Sequence, residues 1–300
     1  VVAGRVIFGG AHSGSIDFGT GPIDAMGATL GFVVAFDPDG EAVWTRAFTS
    51  SGVFDRHAQV AAIASDGEAV FITGGFTGMV DFGDHPIYSM GERDIFLARL
   101  DPLDGSTTFS QAFGSALTEE GVALAATSTG ELCLATQGDG QIWWPNISPA
   151  ASAAFVQLDA STGVPRSALA MPDATTAAIA ADGSDCVVVG GYSPSLFLGT
   201  VALPTAVDGW NGFAARIGPM AAVRWARPIG PDFGIIRAAS VDDVTGEALV
   251  GGTIMGGWMF EDGTVLGDPV TGRNYLFVLA LDGATGAFTW GRTYAGSIFQ

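Results

Sequence analysis

Short apolar runs of six to eight residues, each closed by glycine or by an Asx/Thr-Gly pair, recur along the whole chain. No segment keeps apolar residues at the 3.6-residue spacing of a helix, so the pattern predicts strands. One phrase returns five times: Gly31-Phe-Val-Val-Ala-Phe-Asp37, Asp94-Ile-Phe-Leu-Ala-Arg-Leu-Asp101, Ala154-Phe-Val-Gln-Leu-Asp159, Gly212-Phe-Ala-Ala-Arg-Ile-Gly218 and Tyr275-Leu-Phe-Val-Leu-Ala-Leu-Asp282. Its aromatics Phe32, Phe96, Phe155, Phe213 and Phe277 stand 64, 59, 58 and 64 residues apart, so about five periods fill the 300 residues. Ahead of each copy lies a strand that ends in glycine: Val6–Gly10, Val70–Gly75, Leu132–Gly138, Cys186–Gly191 and Ala248–Gly252. After four of the copies a further strand carries an aromatic, Trp44, Phe109, Trp225 or Trp290, with Ser167 in the third. From the second period on, an alanine-rich strand comes first, as in Val60–Ser65 or Thr176–Ala181. Each period is therefore read as four strands, A to D.

Turn chemistry divides the period in the same places. Asp66-Gly67, Thr129-Gly130, Asp182-Gly183 and Thr245-Gly246 separate A from B, and Asp39-Gly40, Asp104-Gly105, Thr162-Gly163 and Thr285-Gly286 separate C from D. Glycine supplies the positive φ that such hairpins need. Four short antiparallel strands every 60 residues or so predict an all-β, five-bladed β-propeller of four-stranded blades. The repeats fall near 1–57, 58–119, 120–173, 174–234 and 235–300 of a single domain. Aligning Gly9-Gly10 with Gly74-Gly75 sets Val1 opposite Asp66, so the first blade lacks its inner strand A. That strand is expected in sequence removed from this chain, from another protomer by strand addition, or as a brief pairing by Val1 and Val2.

The segment Gly75-Phe-Thr-Gly-Met-Val-Asp-Phe-Gly83, followed by Gly91-Glu-Arg-Asp-Ile-Phe-Leu-Ala-Arg-Leu-Asp101, resembles the bacterial beta-propeller repeat called SBBP. Ser13-Gly-Ser-Ile-Asp-Phe-Gly19 before Phe32 matches as well; in later repeats Trp144-Pro145, Leu198-Gly199 and Phe260 stand near the Phe-Gly place. The resemblance implies a secreted or cell-surface protein of a myxobacterial or delta-proteobacterial kind and brings no catalytic motif. Leu281-Asp-Gly-Ala-Thr-Gly-Ala-Phe-Thr-Trp290 is similar to the tryptophan-docking repeat of quinoprotein dehydrogenases, a structural motif in which an outer-strand Trp packs on the next blade. Those enzymes imply a larger propeller, a calcium site and adjacent cysteines, whereas Cys133 and Cys186 are 53 residues apart, so pyrroloquinoline quinone is not expected.

Composition narrows the function classes. Glycine reaches 44 residues while charged residues make up 14%, against a usual share of about 25%. The net charge is −19, and the twelve basic residues are scattered arginines with no lysine, as a high-GC genome would encode. A phosphate backbone would be repelled, so nucleic acid is not an expected partner. No run approaches the ~18 apolar residues of a membrane helix, so membrane insertion is not expected and a soluble chain is. Val1 opens the chain without a charged and then apolar leader, so any export signal is expected to be removed or not included. The cysteines hold equivalent places in strand B of repeats three and four. Stacked sheets lie ~10 Å apart, beyond disulfide reach, which predicts two buried thiols.

Candidate chemistry is sparse. The Asp-Phe-Gly triplets at Asp17 and Asp81 lack every other kinase feature, and Phe18 and Phe82 are predicted to plug repeated loops. Turn aspartates such as Asp37 and Asp39 could donate oxygens to calcium, though Asx turns account for them without a metal. His12, His57 and His85 are too dispersed for zinc. Strand alternation puts the tight A-to-B and C-to-D turns on one face and the longer B-to-C and D-to-A connections on the other, where binding is expected. Asp55, Arg56, His57, Glu119, Glu120, Asp173, Asp232 and Arg237 are expected to converge there about the central opening, with Tyr88, Trp143, Trp144, Trp210 and Trp258 in the B-to-C segments. Aromatic faces with carboxylates between them suit a sugar. The expectation is a non-catalytic extracellular binding or structural module, glycan-binding in its sharper form, with an extracellular glycan or protein as partner. The alternatives are a polysaccharide hydrolase with axial carboxylates and a subunit of a surface filament or sheath that self-assembles at the incomplete blade.

Overall fold

A computed structural model describes the chain except residues 53–55, 146, 148–152, 207–208, 231–234, 261–262, 269–272 and 296–300. Five sheets follow one another along the sequence. The first has three strands, Val6–His12, Leu30–Phe36 and Ala42–Phe48, in the places of B, C and D. The other four each run A-B-C-D: Ala58–Ser65, Val70–Phe76, Asp94–Leu100 and Thr107–Phe113; Glu119–Ala126, Glu131–Gly138, Ala154–Asp159 and Pro165–Ala170; Ala174–Asp182, Asp185–Tyr192, Asn211–Gly218 and Ala222–Ile229; Ile235–Val241, Ala248–Met255, Asn274–Leu281 and Phe288–Ala295. A single 3-10 turn at Pro219–Ala221 is the one helical element among the described residues, and it replaces the fourth C-to-D turn. No described helix is long and apolar enough to cross a membrane.

The chain divides into two compact units. One comprises Val1–Ala126, Gly130–Ser152 and Val156–Ala168; the other comprises Thr127–Thr129, Ala153–Phe155 and Leu169–Gln300. In the first unit the core lies between the first two sheets, with Val33, Ala35 and Trp44 of one meeting Val60, Ile72, Phe96 and Leu100 of the other. In the second it lies between the fourth and fifth sheets, where Val187, Val189 and Ala214 meet Ile236, Val250, Phe277 and Leu279.

All eight turn glycines identified from the sequence have positive φ, from +59° at Gly183 to +93° at Gly67. The recurring strand-B glycine has a second cause. Each strand A is bulged at one equivalent place, between Val60 and Ala62, Gly121 and Ala123, Thr176 and Ala178, and Ile236 and Ala238. In three of the four sheets the bulge pushes a carbonyl onto strand B: a Cβ at Gly74 would stand 1.8 Å from the Gln59 oxygen, at Gly190 2.0 Å from Thr175, and at Gly252 2.2 Å from Ile235. Only glycine fits beneath such a bulge. In the third sheet Thr136 holds the corresponding place, opposite Gly121.

The plug residues behave as their repeated position predicts. Phe18 packs on Phe32 with ring centroids 5.0 Å apart, Phe82 lies between Phe48 and Phe96 at 4.6 and 4.8 Å, and Trp144 lies on Phe113 at 4.8 Å. The flanking aspartates close Asx turns: the Asp17 carboxylate accepts the amides of Gly19 and Gly21, and that of Asp81 accepts Gly83. Two expectations fail. Val2 bridges only to Arg5, so Val1 and Val2 do not form an inner strand for the first sheet. Cys133 and Cys186 are both disulfide-bonded, not free thiols. A spacing of ~10 Å is an average over packed sheets, and twisted sheets depart from it position by position.

Candidate functional site

Antiparallel order sends the B-to-C segment of every sheet out of the end opposite its tight turns. Four of these segments fold into short hairpins, at Ser15–Asp17 with Pro22–Asp24, Met79–Asp81 with Pro86–Tyr88, Phe197–Leu198 with Val201–Ala202, and Gly257–Met259 with Val265–Gly267. The hairpins keep apolar side chains such as Val80, Ile87, Leu198 and Leu266 buried and turn others outward. In the first unit Tyr88 is 63% and Trp143 60% exposed, and Met26 and Met90 are exposed beside hairpins of the same kind. In the second unit Phe197, Trp210 and Met259 are exposed. Tyr88, Trp143 and Trp210 are thus exposed in B-to-C segments. Trp144 is not: it is buried as the plug of the third repeat. Trp258 is half-buried against Phe260, ring centroids 3.8 Å apart.

The charged candidates differ in their surroundings. Asp55 and Asp232 lie outside the described residues. His57 is buried in a parallel bridge to Thr29, its amide donating to the Thr77 hydroxyl, and Thr118 bridges Arg93 in the same way ahead of the next strand A. Arg56, Asp173 and Arg237 are exposed. Glu120 pairs with Arg93. Glu119 is fully buried: its carboxylate accepts the Ser115 amide at 2.8 Å and the Ser115 hydroxyl at 2.5 Å, which fixes the turn ahead of strand A. A catalytic carboxylate must reach substrate, and this one is sealed by Ser115 and Gly140, where a Cβ would come within 2.2 Å of its Oε1.

Beside it is a residue that sequence reasoning passed over. Asp94 is fully buried at the start of the second strand C, its Oδ2 accepting the Met90 amide at 2.7 Å and its Oδ1 without a hydrogen-bond partner. Burial pushes its carboxyl up to about 6, and the Glu119 carboxylate adds to the shift. The available signal was a polar residue opening an apolar run where Leu30 and Tyr275 stand in other repeats.

On the turn end of the second unit, Arg216 binds Asp182 and Asp185 and donates to the Gly283 carbonyl at 3.1 Å; with Arg224, Thr245 and Ala284 these groups line an open slot of about 360 Å³. Its signal was a lone arginine in the fourth strand-C phrase. A second cavity, about 260 Å³, lies among Arg227, Pro228, Trp258, Phe260 and Phe288. No group of three or more potential metal ligands occurs among the described residues.

One seam contact recurs within each unit. Trp44 donates its indole N–H to Pro102 O at 3.0 Å, and Trp225 donates to Gly283 O at 2.9 Å. Sheets that recur as antiparallel meanders, the first and fourth bonded to a turn of the next by an outer-strand Trp, define a β-propeller-type repeat protein. No protein-family model and no curated protein matches the chain. Among solved structures it is similar to the quinohemoprotein alcohol dehydrogenases of Comamonas testosteroni (TM-score 0.45, 10% identity, 97% of this chain and 51% of that one) and Pseudomonas putida HK5 (0.47, 11%, 98% and 51%). It is also similar to the Cps50 (Swd1) beta-propeller domain of Myceliophteria thermophila (0.44, 10%, 99% and 90%). The chain spans about half the length of the two dehydrogenases.

Proposed function

We propose that the chain is a non-catalytic binding module of five propeller blades that works outside the cytoplasm and takes glycans on the aromatic side chains of its B-to-C segments. The observation that carries this reading is the division of labour at that end. The rings of Tyr88, Trp143 and Trp210 stand exposed in B-to-C segments, Tyr88 on a hairpin and Trp143 bridged to Gly114, while Glu119 is consumed as an internal staple and Glu120 is paired. Flat exposed rings on short, anchored segments suit stacking against the apolar face of a pyranose. Disulfide-bonded cysteines fit an oxidising compartment, which supports the extracytoplasmic placement. The resemblance to SBBP repeats points to the same compartment.

The test joins a glycan array to a screen for polysaccharide hydrolysis on the same preparation. Saturable binding to an oligosaccharide without release of reducing ends is the expected result. Turnover that disappears when one carboxylate is neutralised would replace the module with a hydrolase.

A further inference from the structure

The seam between two successive sheets is filled in the first unit and open in the second. Between the first and second sheets the plug Phe82 is fully buried, with Phe48 and Phe96 packed on its ring. Its carbonyl accepts from Arg46 at 3.0 Å and from the Thr107 hydroxyl at 2.6 Å. Strand register gives the counterparts between the fourth and fifth sheets. Ile229 pairs with Gly212 as Phe48 does with Gly31, Arg227 with Ala214 as Arg46 with Val33, and Phe288 with Leu281 as Thr107 with Leu100. Phe260 follows the first strand of its hairpin as Phe82 does.

Two of these exchanges act on the plug. Ile229 lacks the ring with which Phe48 holds Phe82, and Phe288 offers a ring where Thr107 offers a hydroxyl. Phe260 stacks on Phe288 at 3.7 Å and on Trp258 at 3.8 Å. Its carbonyl accepts the Gly263 amide at 3.0 Å, inside its own hairpin turn. Arg227 is left to the Gly286 and Thr285 carbonyls, to which its Nε and Nη2 donate at 3.3 and 2.8 Å. The cavity of about 260 Å³ among Arg227, Trp258, Phe260, Leu281 and Phe288 lies in this seam, wholly within the second unit. Arg216 and Arg224 of the fourth sheet are paired with aspartates. Among the described residues no carboxylate reaches Arg227, and its Nη1 has no hydrogen-bond partner.

We propose that this cavity binds a small ring compound bearing a carboxylate, with the ring among Trp258, Phe260 and Phe288 and the carboxylate on Arg227. Apolar, aromatic walls with a single polar anchor both hold and orient a small ligand. A dry cavity of ~150 Å³ already takes benzene, so 260 Å³ admits a ring together with its acid group. The guanidinium supplies the charge match, being always ionised and planar like the carboxylate it would meet. Tyr88, Trp143 and Trp210 take no part in this site, which therefore stands or falls apart from glycan binding.

Titration followed by fluorine NMR tests this, with 4-fluorobenzoate as the probe and 4-fluorobenzyl alcohol, which keeps the ring and loses the charge, beside it. The wild-type chain is expected to bind the acid saturably and about tenfold or more tighter than the alcohol. Arg227→Met keeps an apolar stem and should erase that preference while the alcohol binds as before. The retained alcohol separates a lost charge from a misfolded variant. Ala287→Phe, at an exposed position of the lining, should fill the cavity and weaken both probes by about tenfold or more. A wild-type chain that binds neither probe overturns the proposal. Equal affinity for acid and alcohol, or a preference for the acid that survives Arg227→Met, overturns it as well. Binding of both probes untouched by Ala287→Phe would set the site elsewhere and has the same consequence.

Discussion

The indole N–H of Trp44 donates to the carbonyl of Pro102, 58 residues further on, at 3.0 Å, and the same bond recurs over the same separation between Trp225 and Gly283 at 2.9 Å. The indole bond makes this one side chain a direct probe of the seam. Trp44→Phe, which keeps a ring and loses the N–H, should cost about 1 kcal/mol in urea unfolding. Trp44→Ala should cost about 3–5 kcal/mol, because it also opens a cavity beside Gly105. Equal midpoints for the Phe variant and the wild type would assign the seam to packing alone.

The bulged strand A makes Gly74 and Gly252 more demanding than the many loop glycines. Gly74→Ala drives a methyl group toward the Gln59 carbonyl, which is backbone and cannot swing aside, and should destabilise by about 2–3 kcal/mol. Gly251→Ala, in the corresponding strand of the fifth sheet, is the control, since the nearest atom there lies at 3.7 Å. Thermal melts of the two variants should differ by several degrees, and identical melts would remove the bulge from the account.

Asp94 predicts a pH dependence with a definite sign. Its carboxyl titrates near 6 in the folded chain and near 3.8 when unfolded, so between those values the folded state holds more protons. Stability contributed by the protonated group is present below about 4 and lost as pH rises through 6, amounting to about 3 kcal/mol at ~1.36 kcal/mol per unit. Asp94→Asn should therefore match or trail the wild type at pH 4 and gain on it by pH 7. A difference between the two that stays flat from pH 4 to 7 contradicts the assignment.

The cysteines give a chemical check. Denatured without reductant, the chain should show no thiol reactive toward an alkylating reagent, and with reductant it should show two. Reduction should lower stability by about 2–4 kcal/mol. Two reactive thiols before reduction would restore the reading drawn from the sequence.

Strands, turn glycines and plugs were legible because each recurs in register, so five weak local signals reinforce one another. Direction was much less legible. Trp143 and Trp144 are adjacent and equally aromatic, yet one is 60% exposed and the other 3%; alternation puts neighbours on opposite sides and does not say which side is buried. Glu119 looked like an accessible acid, but its register matches Ala58 and Ala174, where the first side chain of strand A turns inward. The bulges, which explain Gly74, Gly190 and Gly252, leave no residue signature of their own.

The central claim is that outward aromatic rings on the B-to-C segments carry binding. A glycan array run with the wild-type chain and with the double variant Tyr88→Ala/Trp143→Ala tests it most directly. The account predicts a saturable oligosaccharide signal for the wild type that falls by about tenfold or more in the variant, whose unfolding midpoint stays within ~0.5 kcal/mol because both rings are exposed. An undiminished signal in that variant, or no glycan bound by the wild type at any concentration, would contradict it.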